Sequence, residues 1–392
     1  MAAARAELVS LRWERIQVLI RLTPVSPSSI ETLALRLHRT DDPASGMPAT
    51  RAWSEDGDIV GRFNVMLGPG GVPFEPGHWV LAADAPGAEQ RPLEVAGPAS
   101  AQLPGARFET ERGTYEVLPS IVAGQLQLDV RLQPFGSIGA RRARSSRTLP
   151  IRIVRALGVA GFALLYKLAR LASRRDPTRI LFLGHYGTDL SGDMQAVLAR
   201  MTERGIDRER PVAIVRPMRS RGVGEWLRLP LELARAGTIV IEEDVLYMIS
   251  PVEARVIQLW HASGALKTIG FSRIGKPSAR SPWSRHYKDF TYAIVSGEHD
   301  VPLFAEAFGM PENRVLPLGH PRMDRFFDES WRAQARESTL RAFPMARGRR
   351  VILFAPTWRA YGAGRVYDLS VLDYARLHAL CVEIDAVFII RL

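Results

Sequence analysis

The sequence has a single cysteine, Cys381, among 392 residues, which excludes an intrachain disulfide and any cysteine-cluster metal site. Cys381 sits in an apolar run and reads as a core residue, consistent with a reducing cytoplasmic setting. Lysine is scarce as well: four of the 52 basic residues are Lys, a bias that reflects genome composition more than chemistry. No apolar core of signal-peptide length follows Met1, so secretion is not expected. The uncharged stretch at 156–166 has eleven residues, whereas a membrane-spanning helix needs about 20. Clustered carboxylates, His pairs at metal-ligand spacing and a Walker-type phosphate loop are all missing. Neither a metal nor a cofactor is therefore expected.

What is present is an ordinary globular composition, 46% hydrophobic and 24% charged, long enough for two or three domains. The formal net charge is +11, and residues 139–179 hold eleven Lys or Arg against one acid, Asp176. Arg141, Arg142, Arg144 and Arg147 lead into the uncharged stretch, and Lys167, Arg170, Arg174 and Arg175 follow it. An apolar helix between arginines suits the cytoplasmic face of an anionic membrane, as an interfacial element. A helix packed on the next domain with a solvated Arg face explains the same pattern. Nucleic acid is not an expected partner, because no aromatic-basic interleaving or known motif accompanies the charge.

Residues 1–137 read as a β-rich accessory domain. Runs at 15–22, 62–67 and 125–132 are separated by Gly and Pro clusters, and the last alternates as a half-buried strand does. Many short strands with such turns predict a small sandwich or barrel, and no catalytic constellation is visible in it. Residues 138–178 form a basic amphipathic linker or helix. From 179 to 345 strands alternate with helices: 179–184, 211–215, 237–241, 255–260, 292–296 and 314–319 are the predicted strands. This alternation predicts an α/β fold with a doubly wound parallel sheet. A further unit opens at 348, with strands at 351–355 and 386–390 around a helix near 369–379. One helix between two strands cannot cover its own apolar faces, so 348–392 reads as the start of an incomplete second Rossmann-like domain.

The segment most suited to chemistry is 255–270. An apolar strand ends at Trp260-His261, breaks at Ser263-Gly264, and resumes with residues a helix accepts. That pattern puts His261 at the carboxyl end of a strand, where open α/β sheets bind ligands. Free N–H groups at a helix start after Gly264 would favour an anion, and Lys267 would add a mobile charge. A His after an apolar strand is also a common turn residue, so spacing alone leaves both roles open.

Trp260-His261-Ala262-Ser263-Gly264-Ala265-Leu266-Lys267-Thr268-Ile269-Gly270 resembles the signature of the CDP-glycerol glycerophosphotransferases of teichoic acid synthesis. Ala262 and Ser263 stand where that family usually has Gly and Thr. Three more stretches resemble it in the same order: 180–198 with Ser191-Gly192-Asp193, Gly319-His320-Pro321-Arg322-Met323-Asp324, and Phe354-Ala355-Pro356-Thr357-Trp358-Arg359. The resemblance implies a GT-B fold, with 179–345 as the acceptor-side domain and 348–392 as the start of the nucleotide-side domain. It also implies that further nucleotide-side elements would lie beyond Leu392.

The implied reaction transfers glycerol phosphate, or ribitol phosphate, from a CDP-activated donor to a lipid-linked acceptor and releases CMP. His261 is then the expected general base, with a reference pKa of about 6.5. Ser263, Gly264 and Lys267 are expected to hold phosphate oxygens. Arg322 is a second expected anion-binding residue, oriented by Asp324, or equally a turn-stabilising partner of it. Thr357 and Arg359 are expected near the donor phosphates. His185 and His320 fall near the cleft by topology and are weaker candidates. Two rivals share the pattern: a GT-B glycosyltransferase using another nucleotide sugar, and a catalytically inactive, membrane-docked binding module.

Overall fold

The computed structural model describes residues 4–25, 34–42, 45–68, 71–84, 91–97, 103–134, 149–184, 190, 192–215, 223–243, 246, 253–276, 279–355, 369 and 372–391. Packing divides the chain into two compact units, Met1–Arg322 and Met323–Leu392.

The first unit begins with a β module. Its described strands are β1 (Ala4–Glu14), β2 (Gln17–Pro24), β3 (Ala34–Arg39), β4 (Met47–Pro48), β5 (Arg51–Glu55), β6 (Asp58–Asn64), β7 (Gly77–Asp84), β8 (Arg91–Ala96), β9 (Ala106–Thr110), β10 (Gly113–Val122) and β11 (Gln125–Gln133). They hydrogen-bond in the order β5-β6-β2-β1-β8-β7-β11-β10-β9, with β3 between β7 and β4. Inward residues alternate along the strands, as in Leu126, Leu128 and Val130 of β11. They meet Val18, Ile20 and Leu22 of β2 and Leu81 of β7 in one apolar core. The strands thus enclose a single apolar core.

Helix α1 (Leu149–Ala172) follows, twice as long as its uncharged stretch. Phe162 and Tyr166 are buried on one side of it, spaced i and i+4. The α/β domain then forms an entirely parallel sheet of β12 (Ile180–Leu183), β13 (Val212–Val215), β14 (Thr238–Ile241), β15 (Arg255–Gln258), β16 (Tyr292–Ile294) and β17 (Val315–Leu316). The six predicted strands are these six. Their order is β13-β12-β14-β15-β16-β17. The order in which successive strands are added reverses beside β12, so the switch point lies between β12 and β14.

Both faces of the sheet are covered, because successive side chains point opposite ways. Leu181, Leu183, Ile239 and Ile241 pack beneath α1, α4 (Val223–Arg235) and α5 (Val301–Phe308). Phe182 and Val240 face Met194 of α2 (Gly192–Glu203). A one-turn helix α3 (Ile206–Glu209) leads into β13. The β module docks on this domain through buried carboxylates: Arg15 Nε donates to Glu306 at 2.6 Å, and Arg62 Nη1 to Glu312 at 2.9 Å.

The second unit contains α6 (Glu329–Ala342), capped by Asp328, and then β18 (Arg350–Phe354), α7 (Tyr374–Glu383) and β19 (Ala386–Ile390). β18 and β19 pair in parallel around α7, the strand-helix-strand start of a Rossmann-like unit. The predicted helix sits five residues further along than expected, because Asp373 caps it by accepting from the Arg376 N–H.

Candidate active site

The site is built at the carboxyl ends of β12, β14, β15, β16 and β17. Leu259 continues β15 by donating to the Ile241 carbonyl, and the chain kinks at Trp260. Trp260 has φ +59°, a region that a bulky residue enters only under constraint. Two contacts hold it there. Its N–H donates to Oε1 of the buried Gln258 at 2.8 Å, and its indole packs edge-on to Phe304 and Phe308. The kink delivers His261 to the sheet edge, where its side chain is 45% exposed.

His261 Nδ1 lies 3.4 Å from the Glu242 carbonyl oxygen and 4.0 Å from Glu243 Oε1. A carbonyl can only accept, so this contact favours the tautomer with the proton on Nδ1 and the lone pair on Nε2. The Glu243 carboxylate would stabilise the imidazolium once Nε2 takes a proton. Imidazole, orienting acceptor and nearby carboxylate form the arrangement that general-base chemistry requires.

The segment after Gly264 differs from expectation. Residues 261–269 form a loop, not a helix start. Gly264 has φ +75°; its N–H donates to Ser296 Oγ at 3.2 Å and the Ala265 N–H to Asp300 Oδ1 at 3.3 Å. These N–H groups are already satisfied by residues following β16, which removes the expected helix-type anion cradle. The loop then passes tightly under α5: a Cβ on Gly270 would stand 2.0 Å from the Ala307 carbonyl oxygen. Ser263 is exposed beside His261. Lys267 is exposed too, and lines a separate small hollow with Arg15 and Thr268.

Arg322 belongs to the site, but its partner is not Asp324. Asp193, wholly buried at the start of α2, accepts from the Arg322 backbone N–H at 2.9 Å and from Nε at 2.6 Å. Nη2 of Arg322 also contacts Asp193, and lies 3.8 Å from Glu242 Oε1. The hydrogen bond to Asp193 holds the guanidinium above its ordinary pKa, so it stays charged at every accessible pH. Asp324 is exposed in the second compact unit. A buried carboxylate that accepts from both the backbone N–H and the guanidinium of Arg322 outcompetes the exposed one two residues along the chain. His320 is buried, its Nδ1 4.0 Å from Asp193 Oδ2.

His261 and Arg322 therefore meet at the strand ends around Glu242, with Asp193 behind Arg322, while Ser263 and Gly264 follow His261 in a loop held by Ser296 and Asp300. Thr357, Trp358, Arg359, Ser191 and His185 lie outside the described residues. Asp193 was noted only within the Ser191-Gly192-Asp193 stretch, with no site role, and Glu242, Glu243, Ser296 and Asp300 were given none either. Glu242-Glu243 could have been singled out, since they directly follow a predicted strand at the sheet's ligand edge.

An exposed imidazole and a guanidinium fixed by a buried carboxylate thus stand at the carboxyl edge of a parallel sheet. The chain belongs to the CDP-glycerol:poly(glycerophosphate) glycerophosphotransferase family, whose sequence profile matches residues 164–392. Among relatives, it is 32% identical over 238 residues to the teichoic acid ribitol-phosphate polymerase TarL of Staphylococcus aureus, covering 59% of this chain and 42% of that protein. It is 34% identical over 239 residues to TarK of the same organism, a teichoic acid ribitol-phosphate polymerase, covering 59% and 46%. With the teichoic acid glycerol-phosphate primase of Bacillus subtilis it shares 26% identity over 135 residues, 33% and 34% of the two chains. The chain thus spans less than half the length of these relatives. A solved structure of the wall teichoic acid polymerase TagF aligns with a TM-score of 0.47 at 18% identity, covering 62% of this chain and 63% of that one.

Proposed function

We propose that the protein is a GT-B alditol-phosphate transferase acting in teichoic acid or related cell-envelope polymer synthesis, with residues 179–345 as its acceptor-side domain. The donor is a CDP-alditol and the acceptor a hydroxyl on a lipid-linked chain. The acceptor oxygen forms a bond to the alditol-bearing phosphorus of the donor. The bond from that phosphorus to the oxygen of CMP breaks, and CMP leaves with the electron pair. His261 Nε2 takes the acceptor proton; Arg322, clamped by Asp193, neutralises phosphate charge as it develops. Such transfer asks the protein for positioning and charge more than for covalent steps. The observation that carries this reading is the His261 imidazole itself, with Nδ1 directed at the Glu242 carbonyl and the side chain 45% exposed at the sheet edge.

Ribitol phosphate is the favoured unit, because the relatives at 32–34% identity are ribitol-phosphate polymerases and the glycerol-phosphate primase stands at 26%. CMP release should be faster with CDP-ribitol than with CDP-glycerol. Turnover of UDP- or GDP-sugars alone would reject the reading. His261→Ala should slow transfer by about 10²–10⁴-fold with an unchanged melting curve; near-normal turnover would remove His261 from the mechanism.

Peripheral binding to the cytoplasmic face of an anionic plasma membrane is part of the same reading. Opposite its buried side, α1 exposes Leu157, Leu164, Leu168 and Leu171 on one stripe, with Lys167 and Arg174 flanking it. Among the described residues no helix is long and apolar enough to cross a membrane; this stripe suits adsorption at the headgroup level. Arg141, Arg142, Arg144 and Arg147 lie outside the described residues.

A further inference from the structure

A second cleft opens where the β module meets the α/β domain, and it shares no residue with the strand-end site. Its volume is about 320 Å³ and it is open to solvent, at the lower end of the range of small-ligand sites. Pro73, Pro76, Leu132 and Trp283 form its walls, and Arg112 and Glu75 are its charged groups.

Arg112 stands in the turn between β9 and β10. The neighbouring Glu111 accepts a 2.5 Å hydrogen bond from Ser281 Oγ, which pins the turn to the loop carrying Trp283. The Arg112 guanidinium lies over the Trp283 ring, 4.4 Å from its centre. Among the described residues no carboxylate pairs with it. Stacking occupies one flat face of a guanidinium and leaves its in-plane N–H groups free, the edge that grips a phosphate with two parallel bonds. Glu75 is already neutralised: Arg39 Nη1 donates to its Oε2 at 2.5 Å. Its carboxylate remains 68% exposed, with lone pairs left to accept from hydroxyls. The indole and the two prolines offer apolar surface to C–H groups. One cation with a free fork, one hydroxyl acceptor and apolar walls match a phosphorylated polyol better than a neutral glycan or a bare anion.

We propose that this cleft binds an alditol-phosphate unit of the acceptor chain, away from the hydroxyl being extended. The inference rests on the function proposed above for the identity of the polymer. The cleft would hold the growing chain between additions. Arg112 lies outside the region matched by the family profile, which starts at residue 164, so the β module supplies this grip from beyond the shared domain.

Calorimetry of the chain with a short poly(ribitol phosphate) oligomer at low ionic strength tests it. Arg112→Gln should weaken binding roughly tenfold, as loss of a charge-assisted pair does, and Arg112→Lys should fall between. CMP release from CDP-ribitol with a single-unit acceptor should be unchanged in Arg112→Gln. If the wild type releases no CMP from any CDP-alditol yet binds the oligomer through Arg112, the transfer reading fails and the cleft stands. Oligomer binding that ignores Arg112, or equal binding of neutral dextran, overturns the cleft. A lower melting temperature with unaltered affinity also overturns it, because Arg112 would then be only a strut between domains.

Discussion

At the scale of single residues, what matters is which charges have lost water and what replaced it. Asp193 has lost all of it, and the Arg322 N–H groups stand in its place. Asp193→Asn keeps the shape and one acceptor but leaves the guanidinium only the more distant Glu242 carboxylate, at 3.8 Å, as counter-charge. It should raise the KM for the phosphate-bearing substrate and cost roughly 1–3 kcal/mol of stability. Initial rates against substrate concentration check this; an unchanged KM alongside a lowered melting temperature would make the pair a folding contact only. The position of His261 at the sheet edge was legible in the sequence because a strand end and a small-residue break are local signals, whereas its role came from the family resemblance. The Asp193–Arg322 pair was not, because 129 residues separate its members and Asp193 reads locally as nothing more than a helix start. Asp324 was the nearer carboxylate in sequence, and proximity in sequence was the wrong guide.

At the scale of elements, periodicity predicted all six strands of the parallel sheet, since each is a short apolar run between turns. It failed after Gly264, where helix-compatible residues form a loop because Ser296 and Asp300 take the N–H groups a helix would use. For α1, the apolar stretch was legible but its two-sidedness was not, since Phe162 and Leu164 look alike until packing separates them. Leu164 and Leu168 are 58% and 52% exposed, so replacing both with Gln should leave stability within about 0.5 kcal/mol. The same change should abolish sedimentation with anionic vesicles; retained sedimentation would assign α1 to ordinary packing. Helix α6 gives an acid-side prediction. Hydrogen bonding from the Ser330 hydroxyl, then from the Trp331 N–H, holds the Asp328 carboxyl below its usual pKa. A depressed carboxyl stabilises the fold above its unfolded pKa of about 4, and the effect fades as pH falls through the lower folded value. Protection of the amides in 329–342, measured against their intrinsic exchange rates, should therefore fall below about pH 4, and Asp328→Ala should show that reduced protection already at neutral pH.

At the scale of the first compact unit, the question is whether the β module is a tethered accessory or part of the fold. Glu306 on α5 is fully buried, and its charge is answered by Arg15, a β-module residue held at φ +57°. Glu312 is answered by Arg62 and, at 3.5 Å, by Arg51. Three arginines from one module thus cover two carboxylates of the other. A buried carboxylate that loses its partner is costly, whereas replacing the whole pair by apolar groups is not. Arg15→Ala should therefore destabilise the unit by about 3 kcal/mol, while Arg15→Ala with Glu306→Leu should recover most of that. Denaturant unfolding of the wild type, both single variants and the double variant closes the cycle. A coupling near zero would mean that water already reaches Glu306 and that the module is only loosely held. A large coupling would mean that it cannot swing away, so that a polymer held at Arg112 stays fixed relative to the His261 edge through successive additions.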